Sequence, residues 1–145
     1  MQVQLRELEF DPWHEVAEHQ ARRLDASGKY GATVVFVGTM RDANEGDAVS
    51  GMTLEHYPEM TERHLRAIAN KAMSQWEIID VLILHRIGEV VPDEPIVLVA
   101  VWSAHRAAAY DANRFIMEDL KSKAPFWKKE QTASGARWVE RNTPG

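Results

Sequence analysis

The chain has 145 residues, of which 45% are hydrophobic and 27% charged, a length and composition typical of one globular domain that spans residues 1–145. A formal net charge of −5 argues against a broad basic face for nucleic acid or a membrane surface, and neither an apolar run of about 18 residues nor a signal-peptide pattern occurs, so we expect a cytoplasmic protein. The absence of cysteine excludes disulfides, zinc-thiolate sites, cysteine nucleophiles and a persulfide carried on this chain.

The first elements follow from apolar spacing. Residues 3–8 alternate apolar and polar side chains and predict a short strand. Asp11-Pro12 is a typical helix start, and the apolar stripe of that helix is expected to be Trp13, Val16, Ala17, Ala21 and Leu24. Residues 33–37 (TVVFV) form a β-branched run between glycines and predict a central strand. The polar residues 39–50 predict a mobile loop.

The middle of the chain predicts one helix and three strands. Residues 52–57 alternate like a half-buried strand that stops before a proline. From Thr61 the spacing predicts a second helix, with an apolar stripe formed by Leu65, Ile68, Ala69, Ala72, Met73 and Trp76. Residues 80–87 and 96–102 predict two further strands.

The last third predicts a helix and a hairpin. Ser103 is expected to cap a third helix that runs through Lys121, with a buried stripe of Ala109, Ala112, Ile116 and Leu120. Residues 126–132 and 136–139 predict a closing hairpin. The resulting order, β α β β α β β α β β, mixes hairpins with crossovers and favours an α+β fold over a doubly wound sheet.

A basic segment stands out against the acidic balance of the chain. Residues 121–129 (KSKAPFWKK) contain four lysines and no acidic residue. Pro125 disfavours helix at the preceding residue, so Lys121 is expected at a helix end and Lys128 on the next element. Such a cluster indicates an anion site, although lysines near a helix C-terminus also complement its dipole. A lysine that is desolvated or lies beside other cations has a lowered pKa and can act as a base or nucleophile.

Two further places carry candidate chemistry. Residues 103–106 (SAHR) follow an apolar strand and open a helix, whose N-terminus offers free N–H groups to an anion. Arg106 adds a planar guanidinium group, and His105 can exchange a proton near neutral pH. Arg41 follows the strand at 33–37, in a position where binding residues collect. An exposed helix cap and a solvated arginine also explain these patterns, so the residues alone leave both interpretations open.

The six histidines raise the question of a metal site. Neither His-x-His nor His-Glu-x-x-His spacing occurs, and the chain has no cysteine ligand. His56, His85 and His105 lie in separate segments. We therefore expect no metal and no cofactor.

Four motifs, read in order, carry a family resemblance: residues 53–61 (TLEHYPEMT), 85–89 (HRIGE), 103–106 (SAHR) and 121–129 (KSKAPFWKK). Together they resemble the large, catalytic subunit of molybdopterin synthase, over residues 31–140. The resemblance implies an α+β fold of the α/β-hammerhead type, with mixed and antiparallel sheets and about three helices. It also implies a sulfurtransferase of molybdenum cofactor biosynthesis, which converts cyclic pyranopterin monophosphate into molybdopterin by building its dithiolene.

The resemblance further implies partners and site residues. In such enzymes sulfur arrives as a thiocarboxylate on the C-terminal glycine of a small ubiquitin-like partner, which agrees with the absence of cysteine here. Similar subunits form a central homodimer within a 2+2 heterotetramer. By position, the catalytic residues are Lys121 and Lys128, and the substrate-binding residues are Thr39, Met40, Arg41, His105, Arg106, Lys129 and Glu130. The family often has a lysine at the position of Thr39, so this chain carries less positive charge there.

The hypothesis that follows is an acid–base mechanism. Arg41, His105 and Arg106 would hold the phosphate and the pterin, and the partner's thiocarboxylate would attack the substrate. Lys128, with Lys121 nearby, would transfer protons and stabilise anionic intermediates. Two alternatives remain open: a non-catalytic module that docks an acidic or carboxylate-tailed protein, and a phosphate-ester enzyme with His105 as its base. Neither accounts for all four motifs.

Overall fold

The structure is a computed structural model that describes residues 1–123 and 126–140. In these residues the chain forms three helices and nine strands, which are β1 Gln2–Arg6, α1 Pro12–Arg22, β2 Ala32–Thr39, β3 Ala43–Asn44, β4 Asp47–His56, α2 Pro58–Gln75, β5 Asp80–Arg86, β6 Gly88–Val90, β7 Pro95–Ser103, α3 Arg106–Lys123, β8 Phe126–Thr132 and β9 Gly135–Trp138. The α+β class with three helices, expected from the element order and from the resemblance, is confirmed.

The first sheet has the strand order β1-β5-β7-β2. Strand β1 runs parallel to β5, and the other two pairs are antiparallel. All seven residues of β5 are buried, because the sheet is covered on both faces. Val81 and Ile83 face α2 and α3 on one side, and Leu82 and Leu84 face Phe10 and α1 on the other, as the alternation of side chains along a strand requires.

The prediction that residues 33–37 form a central strand is wrong. Strand β2 lies at the edge of the sheet, and β5 and β7 occupy the centre. The run is strongly apolar because both of its faces are partly covered. Val34 packs against the core under α2 and α3, and Val35 and Val37 pack against the opposite core.

Helix α1 begins where the sequence predicted, because Asp11 Oδ1 accepts hydrogen bonds from the backbone N–H groups of Trp13 (3.0 Å) and His14 (3.3 Å). Its predicted apolar stripe is only half right. Val16 packs against the core, but Trp13 is 64% exposed. The side chain that anchors the helix is instead the buried His19, whose ring stacks on Trp102 with centroids 4.9 Å apart.

Helices α2 and α3 carry the stripes that periodicity predicted, and the four residues predicted for the stripe of α3 are all buried. Helix α2 begins at Pro58 rather than Thr61, since proline is well suited to the first helical position. The expectation that Ser103 caps α3 is wrong. Ser103 ends β7, and its hydroxyl donates a hydrogen bond to the carbonyl of His105, whereas a capping oxygen would accept one. Helix α3 is described as far as Lys123; Ala124 and Pro125 lie outside the described residues.

The second sheet has the order β3-β4-β8-β9, with β6 also paired to β4. The prediction of a mobile loop over residues 39–50 is wrong for much of that segment, because β3 and β4 form a hairpin there. Its two turn residues, Glu45 and Gly46, have φ values of 52° and 82°, which is the backbone that a two-residue hairpin turn requires. The predicted hairpin of β8 and β9 is confirmed.

Candidate active site

A cleft of about 610 Å³ opens between the two sheets. It lies where β2 and α3 end and where β5 approaches β8. The residues of the first sheet and α3 that line it include Phe36, Gly38, Thr39, His85, Ile96, Val97, Leu120 and Lys121, and those of the second sheet include Asn44, Met52, Phe126, Lys128 and Glu130. Its wall therefore combines apolar and aromatic surface with a few charged groups, a mixture typical of a small-molecule site.

Lys121 and Lys128 meet in this cleft. Lys121 lies in the last turn of α3, and Lys128 lies in β8. The two amines influence each other, because the charge of Lys121 and a side-chain hydrogen bond with it are among the causes that lower the pKa of Lys128.

The environment shows which amine is the better candidate for the neutral form. The pKa of Lys128 is lowered from 10.5 to about 8. Burial is the largest cause, followed by the charge of Lys121 and a hydrogen bond with it, and the charge of Glu130 partly offsets these effects. With a pKa of about 8, roughly a tenth of the Lys128 side chains are uncharged at pH 7. Lys128 is thus suited to accept and return protons at neutral pH.

Glu130 holds the hairpins of the second sheet together beside this pair. It is only 6% exposed, and its Oε1 accepts hydrogen bonds from Asn44 Nδ2 (3.1 Å) and Arg137 Nε (3.3 Å). Arg137 also contacts Asp47 Oδ2 at 2.6 Å. Because Glu130 and Lys128 are two residues apart on a strand, their side chains share a face. The carboxylate therefore joins β3 and β9 to the strand that carries Lys128, and Arg137 extends the contact to Asp47 of β4.

The end of β2 forms the rim of the cleft. Thr39 and Arg41 are exposed there, whereas Met40 is buried and lines the cleft from below. The backbone of Met40 is held at both ends, since its N–H donates to the Glu94 carbonyl (3.0 Å) and its carbonyl accepts from the Asp93 N–H (2.9 Å). Arg41 is therefore a cation on an anchored segment, positioned to meet an anion that enters the cleft.

His105 and Arg106 lie elsewhere in the chain's fold. They are exposed at the N-terminal end of α3, and the rise of an α-helix places Arg106 about 22 Å from Lys121 along the axis. The strand register agrees, because Ser103 pairs with Ala32 at the far end of β2 from Thr39. Within one chain these two residues do not border the cleft.

Lys129 also points away from the cleft. Its side chain lies on the opposite face of β8 from Lys128, and its Nζ lies 5.6 Å from the centre of the Trp138 ring. Of the nine residues that the resemblance assigned to the site, the structure brings six together, namely Thr39, Met40, Arg41, Lys121, Lys128 and Glu130.

Sequence reasoning missed two residues of the cleft wall, His85 and Phe126. Their rings stack with centroids 3.9 Å apart. Both lie within the four motifs, but the sequence suggested only a possible metal ligand for His85 and only a place in the lysine segment for Phe126. The available signal was a histidine directly after the apolar run of residues 81–84 (VLIL), where a polar side chain needs a specific partner.

Residues 1–123 and 126–140 contain no cluster of three histidine or acidic side chains arranged to hold a metal ion. None of the helices in these same ranges is long and apolar enough to cross a membrane.

Comparison with known proteins supports a family assignment. The family described as "MoaE protein" matches residues 9–123. The molybdopterin synthase catalytic subunit of Ralstonia nicotianae is 51% identical over 138 residues, which are 95% of this chain and 76% of that protein. Among solved structures, the molybdopterin biosynthesis MoaE protein of Burkholderia ambifaria is 42% identical with a TM-score of 0.80, over 99% of this chain and 92% of that one.

A more distant structure shows the same fold. A protein–protein complex of subunits 1 and 2 of the Helicobacter pylori molybdopterin-converting factor contains a chain that is 20% identical, with a TM-score of 0.79 over 98% of this chain and 93% of that one. The extent of the family match and the high identity to a catalytic subunit leave one assignment. The chain belongs to the MoaE family, the catalytic subunits of molybdopterin synthase in molybdenum cofactor biosynthesis.

Proposed function

We propose that this chain converts cyclic pyranopterin monophosphate into molybdopterin in the cleft described above. The two sulfurs come from the C-terminal glycine thiocarboxylate of a small ubiquitin-like carrier protein. The observation that carries the proposal is the pair of lysines in the cleft, one of which has a pKa lowered to about 8 by burial and by its neighbour. The family membership supplies the reaction class, and the lysine pair supplies groups able to perform it.

The charges of the cleft suit an anionic substrate. Arg41 at the rim and Lys121 at the end of α3 offer positive charge to the cyclic phosphate, and the apolar wall around Phe126 offers a surface for the pterin rings. Thr39, Met40 and Glu130 complete the part of the binding surface that one chain provides. Thr39 contributes no charge, so Arg41 carries more of the phosphate recognition in this chain.

The lysine pair is assigned to the proton transfers. The carrier's thiocarboxylate sulfur forms a bond to a carbon of the substrate while a carbon–oxygen bond of that carbon breaks and the departing oxygen takes a proton, which leaves the carrier attached as a thioester. Water then attacks the thioester carbonyl, the carbon–sulfur bond to the carrier breaks, and the carrier departs as a carboxylate with sulfur left on the substrate. Lys128 takes the proton from the attacking water, and the Lys121 ammonium stabilises the oxyanion that forms. A second round with a fresh carrier adds the second sulfur.

The complete enzyme in this proposal has a homodimeric core of two such chains, with one carrier protein at each outer end. His105 and Arg106 lie too far along α3 from the lysines to serve the cleft of their own chain, so a second copy has to supply them, together with Lys129 if it binds substrate. The Helicobacter pylori neighbour, described as a complex of two subunits, supports a carrier that docks on this fold.

Reconstitution tests the reaction. The purified chain is incubated with cyclic pyranopterin monophosphate and a carrier whose thiocarboxylate loading has been verified by mass spectrometry, and molybdopterin is assayed. We expect product from the parent chain and from Lys123→Ala, because Lys123 is exposed and pairs with Asp119 (3.2 Å). We expect Lys121→Ala and Lys128→Ala to fold and bind the carrier but to lose most product formation. Carrier binding without product in the parent chain would favour the docking module instead.

A further inference from the structure

His85 is the side chain of the first sheet that stands next to the lysine pair. It lies near the end of β5, is 3% exposed, and borders the cleft together with Lys121 and Lys128. Its ring stacks nearly parallel on Phe126, with centroids 3.9 Å apart and 14° between the planes. Phe126 shares its face of β8 with Lys128, since they are two residues apart. The stack is therefore a contact between the two sheets directly beside Lys128.

The orientation of this ring is fixed by a hydrogen bond. His85 Nδ1 lies 2.6 Å from the backbone carbonyl oxygen of Arg86. A carbonyl oxygen accepts only, so Nδ1 carries the proton and donates it. The neighbouring strands hold the backbone as well, because His85 pairs with Leu5 of β1 and with Val97 of β7. The ring thus has one orientation and one tautomer as a neutral imidazole.

The surroundings of the ring keep it neutral. The pKa of His85 is lowered to about 3, chiefly by burial. Positive charge on Lys128 of β8, Lys121 of α3 and His56 of β4 acts in the same direction, whereas the hydrogen bond to the Arg86 carbonyl opposes the shift. Lys128 titrates some five pH units higher. The ring consequently adds no positive charge beside the lysines at any pH at which Lys128 changes its own charge.

We propose that His85 is a positioning residue for the lysine pair. Its neutral ring, fixed by the Arg86 carbonyl and stacked on Phe126, holds β8 against β5 so that the Lys128 amine stays buried and within hydrogen-bonding distance of Lys121. Without the stack, β8 is free to move away from α3, and Lys128 gains water and loses the influence of Lys121. The catalytic part of this inference rests on the proposed function, whereas the effect of His85 on Lys128 does not.

The test measures the titration of Lys128 directly. Three variants are compared with the parent chain: His85→Leu, which removes the ring; His85→Phe, which keeps a ring for the stack; and Phe126→Leu, which removes the stack from the other side. Folding of each is checked by circular dichroism. The Lys128 pKa is read from the pH dependence of its ε-carbon chemical shift by NMR on 13C-lysine-labelled protein, and kcat and KM are measured in the reconstituted assay.

We expect the Lys128 pKa to rise by about one unit in His85→Leu and in Phe126→Leu, because burial and the charge of Lys121 are what lower it. At pH 7 kcat should then fall about tenfold in both variants, with KM nearly unchanged in His85→Leu, and His85→Phe should stay close to the parent chain. A role confined to stability would lower the melting temperature and leave these quantities unchanged.

The inference is overturned if the folded variants keep the parent's Lys128 pKa, or if His85→Phe shifts it as far as His85→Leu does. Should His85→Leu not fold, Phe126→Leu decides the question alone. A shift of the Lys128 pKa in the variants, combined with no molybdopterin from the parent chain, would support the positioning role and refute the proposed function.

Discussion

The coupling between Lys121 and Lys128 gives the sharpest prediction. Replacing Lys121 by methionine removes a positive charge and a hydrogen-bond partner and keeps an unbranched side chain. Both the charge and the hydrogen bond lower the Lys128 pKa, so their removal must raise it. The overall lowering from 10.5 to about 8 corresponds to roughly 3 kcal/mol in favour of the neutral amine.

Burial is the largest cause of that lowering and remains in the variant. We therefore assign about one pKa unit, or about 1.4 kcal/mol, to Lys121. In Lys121→Met the Lys128 pKa should move to about 9, and the neutral fraction at pH 7 should fall from roughly a tenth to roughly a hundredth. The part of the rate that depends on the Lys128 base should fall by the same factor of about ten at pH 7 and recover as the pH is raised through 9. The part lost with the oxyanion stabilisation by Lys121 should stay lost at every pH.

Two measurements check this. NMR titration of the lysine ε-carbons gives the pKa without any need for activity, and single-turnover molybdopterin formation as a function of pH gives the kinetic midpoint. Lys123→Met is the matched control, because it removes a lysine from the same helix end while leaving the cleft lining intact. The reasoning is refuted if Lys128 of the parent chain titrates near 10.5, or if Lys121→Met leaves its pKa unchanged.

Three further variants probe the framework of the site. Glu130→Gln should lower the free energy of unfolding by about 1–2 kcal/mol in urea denaturation, because it weakens charge-assisted bonds to a buried carboxylate. It should also lower the Lys128 pKa, because the charge of Glu130 raises that pKa. An unchanged or raised Lys128 pKa would contradict this. Leu65→Ala, at a fully buried position, should cost about 2–5 kcal/mol in the same assay, and a loss below 1 kcal/mol would show that α2 packs differently. His85 is neutral in the folded chain, with a pKa of about 3 against 6.5 for the ordinary group. Below pH 6.5 the unfolded chain therefore binds one proton more than the folded chain. The free energy of unfolding then falls with decreasing pH by up to about 1.4 kcal/mol per pH unit. His85→Phe should make that fall shallower between pH 6 and pH 4, and an identical pH dependence would contradict the assignment.

Local sequence patterns predicted the structure correctly wherever the local preference and the tertiary structure favour the same conformation. The stripe of α3 from Ala109 to Leu120 and the cap of α1 at Asp11 are such cases, since helical spacing and a capping carboxylate depend on neighbours along the chain. Predictions from these patterns failed where contacts with residues distant in the sequence determine the local structure. The polar residues after β2 become a hairpin because Glu45-Gly46 adopts a left-handed turn and β8 pairs with β4.

The site divides in the same way. Four ordered motifs were enough to assign the family and to select Lys121 and Lys128, because residue types and their order survive in a linear reading. Distances between elements cannot be read from the linear sequence. Only the folded chain shows that Lys121 and Lys128 border one cleft with Arg41.

The pKa of Lys128 illustrates the physical reason. The sequence alone determined that two lysines flank a proline at a helix end, and therefore that cations were available. The lowering of the Lys128 pKa comes from burial and from a neighbour on another element, and the contact that we propose to maintain both, His85 on Phe126, joins two sheets. Burial and electrostatic coupling depend on three-dimensional distance, so tertiary structure alone turned a basic segment into a candidate acid–base pair.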